Sequence, residues 1–207
     1  MNNYIETTSR KSRDIQVNPR LAKRNSELLA ELCSRYKLTE ANGFAALVNF
    51  SSTSEAPVHR WFRYREGYSI QLVRALIKDL PKGSIILDPF CGSGTTLLAA
   101  QDLGFPSIGF EINPLSAFVS RVKTNSLTDE QIYLLNQLLS KANKLTSASK
   151  VDPKPLLSII DKVFHPQILH ALLVLRCFIK SVENQQLRDF LMVAWLSILE
   201  DVSNVFK

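Results

Sequence analysis

The chain has 207 residues, 45% of them hydrophobic, 21% charged and 9% aromatic, a balance that supports one folded domain with appendages and argues against disorder over most of its length. Lys and Arg outnumber Asp and Glu by 25 to 19, a formal net charge of +6 that suits a polyanionic partner as readily as plain solubility. Cys33, Cys91 and Cys177 are odd in number and lack C-x-x-C spacing, which argues against a disulfide framework or zinc site; with no apolar run near the ~18 residues of a membrane span, a cytoplasmic setting without export signal or anchor is expected.

Residues 1–50 read as a basic arm and helix. Arg10, Lys11, Arg13, Arg20, Lys23 and Arg24 dominate the charge there, and Leu21, Leu28, Leu29, Leu32 and Cys33 recur at helical spacing over 19–36. The Ser/Thr/Pro-rich stretch 49–57 marks a loop. An aromatic and basic run follows, leading into a helix over 69–80 with Ser69 as N-cap and Leu72, Val73, Leu76 and Ile77 on one face. After Pro81-Lys82-Gly83, the β-branched run 84–88 predicts a strand buried on both faces of a parallel sheet. A glycine-containing loop then opens a helix near Thr95 that Gly104 stops. A second strand is expected over 107–111, and Pro114 opens a helix running through Val122. This β-loop-α-β-α order is a βαβ unit, so residues 57–124 form an α/β core. Beyond it, helices are expected over 128–146, 155–160, 166–182 and 185–202, with a Lys/Ser/Asn-rich linker at 141–150.

The chemistry concentrates in Asp88-Pro89-Phe90-Cys91-Gly92-Ser93-Gly94-Thr95-Thr96, at the carboxyl end of a strand where open α/β sheets bind ligands. Gly92 and Gly94 let backbone approach a ligand closely, and the amides near Thr95 and Thr96 can serve its polar atoms. A triphosphate cradle needs G-x-x-x-x-G-K-[ST], and no Lys lies between Lys82 and Lys123, which removes that reading. A dinucleotide fingerprint needs Gly or Ala at position 97, where Leu97 stands, so NAD is disfavoured. S-adenosylmethionine (AdoMet) needs an acid for its ammonium, close backbone for its nucleoside and a carboxylate after the next strand for its ribose; Asp88 and Glu111 are placed to supply both acids.

D-P-F-C-G-S-G-T-T followed by G-F-E-I-N-P resembles motifs I and II of the DNA amino-methyltransferases, which methylate cytosine N4 or adenine N6. The resemblance implies a partial Rossmann-like, AdoMet-dependent methyltransferase sheet flanked by an N-terminal basic helix and C-terminal helices. It implies that Asp88, Pro89, Phe90, Gly92, Gly94, Thr95 and Thr96 line the cofactor site, and that Glu111 holds the ribose with Asn113 beside it. The stretch from Trp61 to Ser69 is similar to the family's motif X, which brings Phe62 and Tyr64 to the methionine end of AdoMet. The implied partner is duplex DNA with its target base flipped. An RNA methyltransferase, or a non-catalytic AdoMet- or nucleic-acid-binding module, are the rivals.

Family members carry a catalytic [D/N/S]-P-P-[Y/F/W] tetrapeptide, and this chain contains no Pro-Pro pair. No catalytic residue is therefore assigned. The expectation is an incomplete enzyme whose helical segment 125–207 leads to a missing catalytic half, carried further downstream or on a second chain. His59, His165 and His170 are scattered without ligand spacing and read as structural, no metal is expected, and Cys91 reads as a small buried side chain rather than a nucleophile.

Overall fold

A computed structural model describes residues 19–36, 44, 47, 57–64, 67–145 and 160–204. The expected basic arm, the loop at 49–56, the second half of the 141–150 linker and a helix over 155–159 lie outside these residues. Contacts divide the chain into two units, Met1–Asn42 and Gly43–Lys207. The first contains helix α1 (Pro19–Arg35), as its spacing predicts. Its Leu28, Leu29 and Leu32 are exposed, and Glu31 and Arg35 pair across one turn at 2.8 Å.

The second unit begins, among described elements, with a 3-10 turn at His59–Trp61 and helix α2 (Ile70–Ile77). Strand β1 (Ile86–Asp88), helix α3 (Thr95–Asp102), strand β2 (Ser107–Gly109) and helix α4 (Pro114–Thr124) follow. Helices α5 (Asp129–Ala142), α6 (Ile160–Val163), α7 (Pro166–Lys180) and α8 (Gln185–Asp201) complete the described chain. Local chemistry sets the boundaries. Ser69 accepts a hydrogen bond from the Gln71 amide and caps α2; Asn113 accepts from the Leu115 and Ser116 amides with Pro114 in the first turn of α4. Thr128 and Gln131 form a reciprocal capping box on α5. Such caps satisfy amides that have no partner within the helix and are worth about 1 kcal/mol each.

β1 and β2 are parallel, with Ile86, Leu87 and Asp88 opposite Ser107, Ile108 and Gly109, and α3 is the crossover between them. The result is a mixed α/β unit, mostly helical, around a two-stranded parallel sheet. Ile86 points into a core of Ile70, Val73, Ile77, Leu98, Ala99 and Ala100 from α2 and α3. The expectation that β1 is buried on both faces is corrected here: Leu87 and its register partner Ile108 are 60% and 50% exposed, and Ile85 and Phe110 are exposed beside them. Side chains alternate between faces along a strand, and among the described residues only the α2–α3 side is covered. Two further clusters join the later helices. Val119, Val122 and Val193 gather Trp61, Phe62, Phe118 and Phe190, while Ile179, Val182, Leu187 and Leu191 bind α7 and α8 to α5. Trp195 donates its indole N–H to the Leu172 carbonyl at 2.9 Å, tying α8 to α7. No described helix is long and apolar enough to cross a membrane.

Candidate functional site

Both strands end at the same edge, where Asp88 is the last residue of β1 and Glu111 lies two residues past β2. Backbone pairing continues past the last strand residues: the Phe110 amide donates to the Asp88 carbonyl at 2.9 Å and the Cys91 amide to the Phe110 carbonyl at 3.0 Å. This extension aligns the loop after β1 with the residues after β2. Glu111 then bridges them, accepting from the Gly92 amide at 2.9 Å on Oε2 and from the Asn113 amide at 2.7 Å on Oε1.

The loop turns at Gly92 (φ +51°) and Gly94 (φ +90°), in the left-handed region that glycine enters without penalty. Space adds a second requirement. A Cβ at Gly92 would stand 2.9 Å from the Tyr64 ring, and one at Gly94 would stand 2.6 Å from Ser120 Oγ and 3.2 Å from the Ser120 Cα. The Gly94 amide closes the turn onto the Cys91 carbonyl at 2.8 Å, and Gly94 caps α3. Thr95 is buried, whereas Pro89 and Phe90 are exposed, Phe90 by 84%.

Asp88 is half-buried and held from two sides. Its Oδ1 accepts from the Phe90 amide at 3.0 Å, and its Oδ2 accepts from the Tyr68 hydroxyl at 2.8 Å. The same hydroxyl is hydrogen-bonded to Thr96 Oγ1. Burial, together with the Asp88 carboxylate, pushes the Tyr68 phenol up to about 12, offset in part by the Thr96 hydrogen bond. Cys91 is buried 3.9 Å from Ser120 Oγ, and burial raises its thiol, which keeps it protonated and a poor nucleophile. Among the described residues no ion pair involves Asp88 or Glu111.

Sequence-derived candidates are thus brought together with one exception. Asp88, Gly92, Gly94, Thr95, Thr96, Glu111 and Asn113 share hydrogen bonds or a turn, and Tyr64 lies over Gly92. Phe62 packs instead among the valines of α4 and α8. Two residues were not singled out from sequence. Tyr68, at the end of the aromatic run and next to the Ser69 cap, reaches Asp88; Ile112, next to Glu111, is 99% exposed.

Away from this loop, Lys123 and His59 are buried together. Lys123 Nζ donates to the His59 carbonyl at 3.4 Å, and among the described residues His59 Nε2 has no hydrogen-bond partner. Burial holds Lys123 down to about 8. His59 falls to about 4, through burial first and then the positive charges of Lys123 and Arg74. No group of three or more potential metal ligands occurs among the described residues.

Residues 38–117 match the family model described as DNA methylase. Over this region the chain is similar to DNA methylases. It is 33% identical over 165 residues to the type II methyltransferase M.BsoBI of Geobacillus stearothermophilus, covering 78% of this chain and 32% of that relative. It is 39% identical over 79 residues to M.AvaI of Nostoc sp., covering 37% and 16%, and 26% identical over 178 residues to M.MvaI of Kocuria varians, covering 81% and 39%. The chain therefore spans well under half the length of these relatives. No solved structure gives a significant match. DNA methylases of this family use AdoMet as methyl donor.

The residues present fit that molecule. Each carboxylate oxygen of Asp88 and Glu111 accepts one described hydrogen bond, and a carboxylate has about four acceptor positions, so each acid retains capacity for a ligand's ammonium or hydroxyls. The missing Cβ atoms at Gly92 and Gly94 let Tyr64 and Ser120 pack directly on the turn, and exposed Phe90 and Ile112 offer apolar surface beside the acids.

Proposed function

We propose that residues 57–124 are the AdoMet-binding part of a site-specific DNA methyltransferase, built as a partial Rossmann-like sheet. Its substrate is an exocyclic amine of DNA, cytosine N4 or adenine N6, within a type II restriction-modification setting. The observation that carries this reading is the pair Asp88 and Glu111: two carboxylates without described cationic partners, at the carboxyl ends of adjacent parallel strands, joined through the Gly92 amide.

Asp88 would receive the ammonium of AdoMet, Glu111 the ribose hydroxyls, and the Gly92–Gly94 backbone the nucleoside. Phe90 and Ile112 would shield the adenine from water. When bound, AdoMet supplies an electrophilic methyl group for the target amine. The chain's own part is to fix that group's position, which lowers the entropic cost of reaction. Base-side chemistry is assigned to no residue of this sequence, because it holds no Pro-Pro pair; a partner carrying that half remains part of the proposal. The net charge of +6 supports a polyanionic substrate, and no structural observation favours RNA over DNA.

The test is photochemical labelling of the 207-residue chain with methyl-tritiated AdoMet, followed by peptide mapping. Label in peptides spanning 88–96 or 110–115, displaced by S-adenosylhomocysteine and not by ATP, supports the reading. Label elsewhere, or none from folded protein, overturns it.

A further inference from the structure

Tyr68 stands twenty residues before Asp88 and belongs to a different segment, yet its hydroxyl reaches the carboxylate at 2.8 Å. A phenol carries one proton to donate. Given to Asp88 Oδ2, that proton leaves the Tyr68 oxygen as acceptor for Thr96 Oγ1, its other partner. The three side chains form a directed series, Thr96 to Tyr68 to Asp88, that links the first turn of α3, the entry to α2 and the end of β1. The ring packs against the α2–α3 core, and the neighbouring Ser69 is fully buried and caps α2, so the phenol is held at both ends. With the Phe90 amide on Oδ1, each oxygen of Asp88 has one fixed donor, and the remaining acceptor positions have a fixed direction.

We propose that Tyr68 is a positioning residue that orients the Asp88 carboxylate toward the ammonium of the amino-acid portion of AdoMet, and so makes the site selective for ligands bearing that portion. The inference rests on the AdoMet reading above. Tyr68 does not touch the ligand in this scheme; it acts through Asp88, by removing alternative carboxylate rotamers before binding.

Tyr68→Phe keeps the ring and removes only the hydroxyl. Calorimetric titration of the chain and the variant with AdoMet and with 5′-methylthioadenosine, which shares the nucleoside and lacks the amino acid, separates the roles. The expected result is an AdoMet affinity about tenfold weaker in the variant, in the range of one charge-assisted hydrogen bond, with methylthioadenosine affinity unchanged within twofold. Thr96→Val should move the same ratio in the same direction by less. Equal weakening of both ligands would mean a structural role, and no weakening of AdoMet would mean no role; either overturns the proposal. If the unsubstituted chain binds neither ligand, the AdoMet reading itself falls and takes this one with it.

Discussion

The Glu111 carboxylate accepts the Gly92 amide at 2.9 Å, so the acid following the second strand is fastened to the glycine turn following the first. One side chain thereby ties together the two sequence motifs, nineteen positions apart. Replacing it by Ala should release both Gly92 and the start of α4, where its other oxygen holds Asn113. A cost of about 1–2 kcal/mol is expected for the lost charge-assisted bonds. Urea denaturation gives that number, and AdoMet titration of Glu111→Ala should show at least tenfold weaker binding.

Gly94 and Gly83 provide a matched pair. Both have left-handed backbone, at φ +90° and +85°, but a Cβ at Gly83 meets nothing within 4 Å, whereas at Gly94 it meets Ser120. Gly83→Ala should cost about 1 kcal/mol, the conformational penalty alone. Gly94→Ala should cost about 2 kcal/mol more, because the Ser120 backbone cannot easily withdraw. Equal losses in denaturant titrations would mean that the crowding is relieved by small shifts of α4.

His59 gives the acid limb of stability a definite cause. Its ring is buried and neutral, held near 4 by burial and by the charges of Lys123 and Arg74, with Asp102 opposing them. The unfolded chain takes up a proton near the ordinary 6.5 and the folded chain does not until about 4, so stability falls as pH drops through that window. The contribution is up to about 3 kcal/mol by linkage. His59→Leu should lose correspondingly less stability between pH 7 and pH 4. Denaturation curves at both pH values check this, and parallel losses in the two proteins would assign the acid sensitivity to other groups.

Lys123 adds a dependence of the same sign in an alkaline window. Its ammonium is buried and its pKa lies near 8, so below that value the folded state bears a desolvated charge that the unfolded state does not. Stability attributable to this group should rise as pH increases from about 8 towards 10.5. Lys123→Met keeps the stem and removes the charge, and should raise the melting temperature at pH 7. A lower melting temperature would show that the contact with the His59 carbonyl outweighs the buried charge.

The uncovered face of the sheet should be visible to a hydrophobic probe. Ile85, Leu87, Ile108 and Phe110 lie on one side of the two strands and are exposed, whereas parallel sheets are ordinarily covered on both faces. Leu87→Lys combined with Ile108→Lys should reduce binding of anilinonaphthalene sulfonate without changing the helical circular dichroism signal.

Much of the site was legible because its signals are local. Ser69 before an amphipathic run, Asn113 followed by Pro114, and the glycines of the loop each constrain backbone within a few residues, and each acts as its chemistry demands. The contacts that cross the fold were not legible. Tyr68 reaching Asp88 depends on how α2 packs on α3, and no periodicity encodes it. Phe62 and Tyr64 are two residues apart in one aromatic run, yet one joins the α4–α8 cluster and the other covers Gly92. The run 84–88 reads as doubly buried because Ile85, Ile86 and Leu87 are all apolar; which of them meets a helix is decided by the neighbouring elements.

The most direct test of the central claim is isothermal titration of AdoMet into the chain and into Asp88→Ala, with circular dichroism to establish that the variant is folded. The account requires one-to-one binding to the chain and an affinity at least tenfold weaker in the variant. Equal affinity in the two, or no binding to the folded parent, would contradict it.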